Sequence, residues 1–162
     1  DSIPALIVLN AKVVLVSKDS VRTVKIEDFI TGPRKNILQS GEIIKSFIID
    51  KMAEGEVSYF KKSGARTALA ISKANLALRF LVENEKVKMM NLSFGSVGPV
   101  VIKSARIPDL FTGIKPSADI VEKACKLVSA EINPIDDFRS TSKYRVKVLE
   151  NMLRKCLVQF IE

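Results

Sequence analysis

The residues best equipped for chemistry in this sequence are few. There is no histidine, and there are only two cysteines, Cys125 and Cys156. Without histidine no Ser-His or Cys-His arrangement can activate a nucleophile. Two thiols cannot supply the four ligands of an iron–sulfur cluster or a closed zinc site. Both cysteines fall among apolar residues of expected helices and read as small buried hydrophobes. Taken alone, Lys61 beside Lys62 reads as a solvated pair, Ile43-Ile44 as the core of an apolar strand, and Asp1 as a frayed chain start.

Composition narrows the class further. In 162 residues, 47% are hydrophobic and 27% charged, which describes a globular chain long enough to bury a core without staples. The formal charge of +8 raises nucleic-acid binding, because lysine and arginine release counterions from phosphates. The basic residues are dispersed, only eight Phe and two Tyr are available for stacking, and no recognition motif accompanies them. A solvated basic surface, or a face for an acidic partner, is the expectation. No apolar run reaches the roughly 20 residues of a membrane span. The opening lacks a signal-peptide pattern, so the cytoplasm is the default location. A start at Asp1-Ser2-Ile3-Pro4 without Met reads as the interior of a longer polypeptide.

The elements follow from periodicity. Residues 7–16 are apolar and β-branched, Lys18-Asp19-Ser20 is a turn, and residues 21–26 alternate, which predicts an antiparallel hairpin. Residues 31–35, with Gly32-Pro33, predict a loop, and residues 42–49 a strand. The polar segment Asp50 to Glu56 is the expected boundary between subdomains, 1–54 and 55–162. Beyond it, residues 57–62 predict a strand. Thr67 then caps an expected helix with Ile71, Ala74, Leu78 and Leu81 at helical spacing, ended by Asn84-Glu85. Residues 87–94 and 100–105 are expected to pair across Gly95-Ser96-Val97-Gly98-Pro99. Two helices follow, one capped by Ser117 and one over 144–160. The fold class expected is α+β, a small antiparallel sheet with helices covering one side.

Three segments together carry a resemblance. The first runs from Asp1-Ser2-Ile3-Pro4-Ala5-Leu6 through Leu9 to Val13, Arg22-Thr23-Val24, Phe29 to Lys35 and Gly41-Glu42-Ile43-Ile44. The second runs from Tyr59-Phe60-Lys61-Lys62-Ser63-Gly64 through Arg66 to Leu92-Ser93-Phe94-Gly95-Ser96-Val97-Gly98-Pro99. The third is Ile132-Asn133-Pro134-Ile135-Asp136-Asp137-Phe138-Arg139 with Ser142-Lys143-Tyr144-Arg145. In order and spacing they resemble the C-terminal part of the FAD-binding middle subunit of molybdenum hydroxylases, the family of xanthine and carbon monoxide dehydrogenases.

That resemblance implies the end of an FAD-binding domain over 1–54 and a flavoprotein C-terminal domain over 55–162. It implies an oxidoreductase subunit that relays electrons from an iron–sulfur small subunit, through FAD, to NAD or another acceptor. Substrate oxidation would belong to a molybdenum-cofactor large subunit. Carried over by position, Asp1 would lie near the flavin ribityl chain, Ile43 and Ile44 would pack on the ring, and Lys61 would stand beside it. An apolar shelf excludes water, and a lysine stabilises negative charge on reduced flavin. The family's glycine-containing pyrophosphate stretches, Ala-Gly-Gly-Thr and Thr-Ile-Gly-Gly-Asn, do not occur in this sequence. The chain alone is therefore expected to bind FAD weakly or not at all. The alternative function is a non-enzymatic interaction domain without a working flavin site.

Overall fold

A computed structural model of the chain describes residues 1–66 and 69–161. Its centre is a four-stranded antiparallel sheet in the order β6-β7-β8-β9, formed by β6 (Val57–Ser63), β7 (Ala74–Glu83), β8 (Lys86–Gly95) and β9 (Ile102–Lys103). In β7 the large apolar residues recur at every second position. Leu76, Leu78 and Phe80 face one way and are fully buried, together with Leu92 and Phe94 of β8.

Against that face pack α3 (Arg106–Phe111), α4 (Ala118–Glu131) and α5 (Ser142–Leu157). Ile107 and Phe111, then Val121, Ala124, Cys125 and Val128, and then Leu149, Leu153 and Cys156 complete one core. Ser117 and Thr141 accept hydrogen bonds from the backbone N–H groups of Ile120 and Tyr144, so both long helices begin with a side-chain cap. A short 3₁₀ turn, Val158–Phe160, ends α5 and sets Phe160 with its ring centre 4.3 Å from that of Phe80. Both cysteines are buried. Desolvation raises both thiol pKa values, that of Cys125 to about 11, which fits a packing role.

The second face of the sheet is covered too. Helix α1 (Ser2–Val8) lies across β7 and β8. Ser93 Oγ donates to the Pro4 carbonyl at 2.9 Å and Asn91 Nδ2 to the Val8 carbonyl at 3.2 Å. Beside α1 on this face, Arg79 of β7 donates twice to Glu56 Oε2, at 2.8 and 2.6 Å, in a pair almost withdrawn from solvent. Helices therefore cover both faces, where the sequence reading placed them on one. The α+β class and the small antiparallel sheet stand.

The remaining N-terminal elements form a second layer. Strands β1 (Lys12–Val16), β2 (Val21–Lys25) and β5 (Ile43–Ile48) make an antiparallel sheet ordered β2-β1-β5. Between them sit α2 (Ile26–Phe29) and a two-stranded ribbon, β3 (Ile30–Gly32) with β4 (Lys35–Asn36). Val13, Leu15, Ile26, Phe29 and Ile7 form a separate apolar cluster.

Three expectations change. The helix expected from Thr67 to Leu81 is instead strand β7 from Ala74 on; Thr67 itself lies outside the described residues. The spacing misled because Ala74 and Leu78 satisfy both a four-residue and a two-residue repeat. Asn84 and Glu85 do not end a helix. They form a two-residue hairpin turn, both at positive φ (50° and 60°), between the paired residues Glu83 and Lys86. Residues 7–16 are not one strand, because Ser2–Val8 is helical and only Lys12–Val16 is extended. The expected loop 31–35 contains the β3–β4 turn, with Arg34 at φ 58°.

Candidate functional site

Asp1 is anchored. Its carboxylate accepts from Lys62 Nζ, from Ser72 Oγ and, at 3.4 Å, from Asn75 Nδ2. It stands at the N-terminus of α1 yet makes no side-chain cap there, because these three partners draw it towards β6 and β7. Ser72 and Asn75 are each 2% exposed while the Lys62 and Asp1 side chains stay partly open to solvent, so the chain start is pinned at the surface by a half-buried polar cluster rather than frayed. Gly95 makes the approach possible. A Cβ there would stand 2.3 Å from Asn75 Oδ1 and 2.9 Å from Pro4 Cγ.

Lys61 is not part of that cluster. Neighbouring side chains of a strand point to opposite faces. Lys62 reaches Asp1 on the α1 face, so Lys61 points with Tyr59 to the helical face, where it lowers the Cys156 thiol pKa against the larger, opposing effect of burial. Ile43 and Ile44 lie on β5, opposite Val16 and Leu15, in the other sheet. They are 65% and 40% exposed. With Phe47 and Ile48 of the same edge strand, and Ile49 just beyond it, they are exposed apolar residues, so the core reading of these two residues does not hold.

The four sequence-derived positions are thus not brought together. Asp1 joins Lys62, Ser72 and Asn75; Ile43 and Ile44 form an exposed apolar edge; and Lys61 faces elsewhere. The residues present do not make a complete flavin cradle. Asn75, which donates to Asp1 from Nδ2, keeps a buried Oδ1 with no hydrogen-bond donor among the described residues. Sequence reasoning missed Ser72 and Asn75 because it read their segment as helix. The alternation Asn75, Ala77, Arg79 against Leu76, Leu78, Phe80 was the signal that places Asn75 beside Asp1.

A second polar centre lies at the start of α5. Arg145, 3% exposed, donates from Nη1 to the carbonyls of Lys73 and Ser96 at 2.6 and 2.8 Å, and from Nη2 to Asp137 Oδ1 at 2.7 Å. It ties the loop before β7, the loop after β8 and the segment before α5 into one unit. Burial acts to raise the Asp137 pKa, but the backbone N–H groups of Arg139 and Ser140 and the Arg145 guanidinium outweigh it and hold the carboxyl below its ordinary value.

Residues 58–160 match the family model described as the CO dehydrogenase flavoprotein C-terminal domain, which is more than half of the chain. The chain belongs to that family. Residues 1–51 match the model described as the FAD binding domain in molybdopterin dehydrogenase. Among curated relatives, the glyceraldehyde dehydrogenase medium chain of Sulfolobus acidocaldarius is 28% identical over 147 residues, covering 91% of this chain and 52% of that one. The xanthine dehydrogenase FAD-binding subunit of Escherichia coli O157:H7 is 24% identical, over 99% and 56%. The chain spans about half the length of these relatives. Among solved structures, a carbon monoxide dehydrogenase from Hydrogenophaga pseudoflava that lacks the Mo-pyranopterin moiety superposes with a TM-score of 0.92 at 19% identity, over 99% of this chain and 55% of that one. The reconstituted carbon monoxide dehydrogenase of Oligotropha carboxidovorans gives 0.90 at 20%, over 99% and 56%. The fold is therefore that of the CO dehydrogenase flavoprotein. Among the described residues no helix is long and apolar enough to cross a membrane.

Proposed function

We propose that this chain is a portion of the FAD-binding subunit of a molybdenum hydroxylase, an oxidoreductase component acting beside an iron–sulfur subunit and a molybdenum-cofactor subunit. Its electrons would pass through FAD to NAD or another acceptor, in the cytoplasm. The observation that carries this reading is the unbroken succession of the two family matches, FAD-binding domain over 1–51 and flavoprotein C-terminal domain over 58–160, on a chain whose named relatives are dehydrogenase subunits. We place the division of the chain between 1–54 and 55–162, while α1 packs on the sheet of the second part.

The chain's own residues supply pieces of a flavin site only. Asp1, set by Lys62, Ser72 and Asn75, offers carboxylate oxygens to a hydroxyl-bearing chain. Ile43 and Ile44 offer an exposed apolar surface to a planar ring. Bound FAD supplies the electron-accepting chemistry; the chain would orient it and exclude water. Lys61 remains the carried-over ring neighbour, with Lys62 the lysine that touches Asp1 in this structure. The missing glycine stretches leave the pyrophosphate without backbone donors, so the chain alone binds FAD weakly or not at all.

Co-expression with an iron–sulfur and a molybdenum-cofactor subunit tests the assignment. A stable three-component complex supports it, and a chain that purifies away from both overturns it. The visible absorbance of the chain purified alone tests the flavin statement, which stoichiometric bound flavin would refute. The exposed apolar residues of β5 and the scattered positions of Asp1, Ile43 and Lys61 favour one second reading, an interaction domain without flavin. Failure of the assembled complex to hold FAD selects that reading.

A further inference from the structure

Arg145 leaves one guanidinium nitrogen without a partner. Its Nη atoms are committed to Lys73, Ser96 and Asp137, but Nε is buried and has no hydrogen-bond partner among the described residues. A buried charged donor without an acceptor is costly, and native structures resolve such cases with a bound water or ion. Arg145 lines a cleft of about 510 Å³ together with Arg139, Asp137, Asn133 and Ser96, and Pro33 from the N-terminal part closes one side.

The charges in this cleft do not balance. Two guanidinium groups face one carboxylate, and the hydrogen bonds around Asp137 keep that carboxylate ionised and already occupied as an acceptor. Arg139 is held over the Phe138 ring at 4.8 Å, and its 3.5 Å contact with Asp137 is long. Its remaining N–H groups stay available. Water satisfies an N–H but not the surplus charge, whereas a tetrahedral oxyanion does both.

We infer that the cleft between Arg139 and Arg145 is a binding site for a phosphate-type oxyanion, with the Asn133 amide and the Ser96 hydroxyl as neutral partners. A cleft this size is many times the roughly 30 Å³ share of one water, so the oxyanion can be free or can end a larger molecule such as a nucleotide. The inference stands on the cleft alone and does not require the flavin-subunit reading.

The test follows the Nε–H resonance of Arg145 in ¹⁵N-labelled chain during titration with inorganic phosphate, at fixed ionic strength, and in parallel with ADP. A saturable shift at Arg145 is expected. Arg139→Gln, on an exposed side chain, should weaken it by roughly tenfold, the worth of one charge-assisted hydrogen bond, while leaving the rest of the spectrum unchanged. Asn133→Asp, which places a negative charge at the mouth, should abolish it. Tighter binding of ADP identifies a nucleotide-borne phosphate, and equal or tighter binding of phosphate identifies a free oxyanion. An immobile Arg145 resonance, a non-saturating drift spread over surface lysines, or unchanged affinity in Arg139→Gln overturns the site.

Discussion

Replacing Gly95 by alanine probes how α1, and Asp1 with it, is seated on the sheet. The added Cβ would lie 2.3 Å from Asn75 Oδ1 and 2.9 Å from Pro4 Cγ, both inside the 3.0 Å that real Cβ contacts respect. The Asn75 amide can rotate, since its one bond, to Asp1, is 3.4 Å long. The Pro4 ring cannot yield without moving the start of α1. Overpacking of this kind costs about 1–3 kcal/mol. Lifting Pro4 also takes its carbonyl from the buried Ser93 hydroxyl, which adds about 1 kcal/mol or more. Gly95→Ala should therefore lose about 2–4 kcal/mol in urea unfolding followed by circular dichroism. Amide exchange should accelerate at Leu9, Asn10 and Ala11, whose N–H groups bond to α1 carbonyls. Adding Asn75→Ala removes the first clash and leaves the second, so it should restore only part of the loss. A Gly95→Ala chain within about 0.5 kcal/mol of the parent would refute the close seating of α1.

Two further outcomes follow from the ion pairs. Glu56→Leu or Arg79→Met should each destabilise the chain by about 3–5 kcal/mol, because each leaves a buried charge without its partner, whereas the two together should cost much less than the two single losses added; a double-mutant cycle of unfolding midpoints checks the coupling. Glu42 accepts two hydrogen bonds from Arg22, at 2.6 and 2.8 Å, and these, with the Gln39 N–H, lower its pKa to about 2. Its folded pKa lies below its unfolded value near 4.5, so its contribution is fully present above pH 4.5 and is lost as pH falls through about 2. Glu42→Gln should flatten that part of the stability profile, measured by urea unfolding between pH 5 and pH 2, and an unchanged slope would count against the pair.

The legible parts of this fold were those whose pattern had one solution. The Ser117-capped helix was readable because polar Ser117 precedes a long stripe, Val121, Ala124, Cys125 and Val128, that no strand can bury on one face. The two-residue repeat of β7 was hidden because the strand is buried on both faces. Ala77 and Leu81 on the α1 side then supply apolar residues between Leu76, Leu78 and Phe80, and the alternation that marks a half-exposed strand disappears. Helix α1 was hidden for the opposite reason, since Ile3, Ile7 and Val8 are β-branched residues whose helical state is decided by packing on β7 and β8.

The site follows the same division. Asp1 was placed by resemblance, but its partners could be named only once residues 74–83 were a strand, because register alone puts Asn75 opposite Gly95 and Lys62 opposite Asn75. Those two pairings bring three residues distant in sequence to the end of one helix. They also decide which lysine meets Asp1: a one-residue change of register would exchange Lys62 for Lys61 and turn every β6 side chain to the other face. Tyr59 fixes that register independently, since its ring packs edge-on to Phe160 with centres 5.9 Å apart and its hydroxyl donates to Gln159 at 3.0 Å. The identity of the lysine beside Asp1 is thus set by an aromatic contact on the opposite face of the sheet.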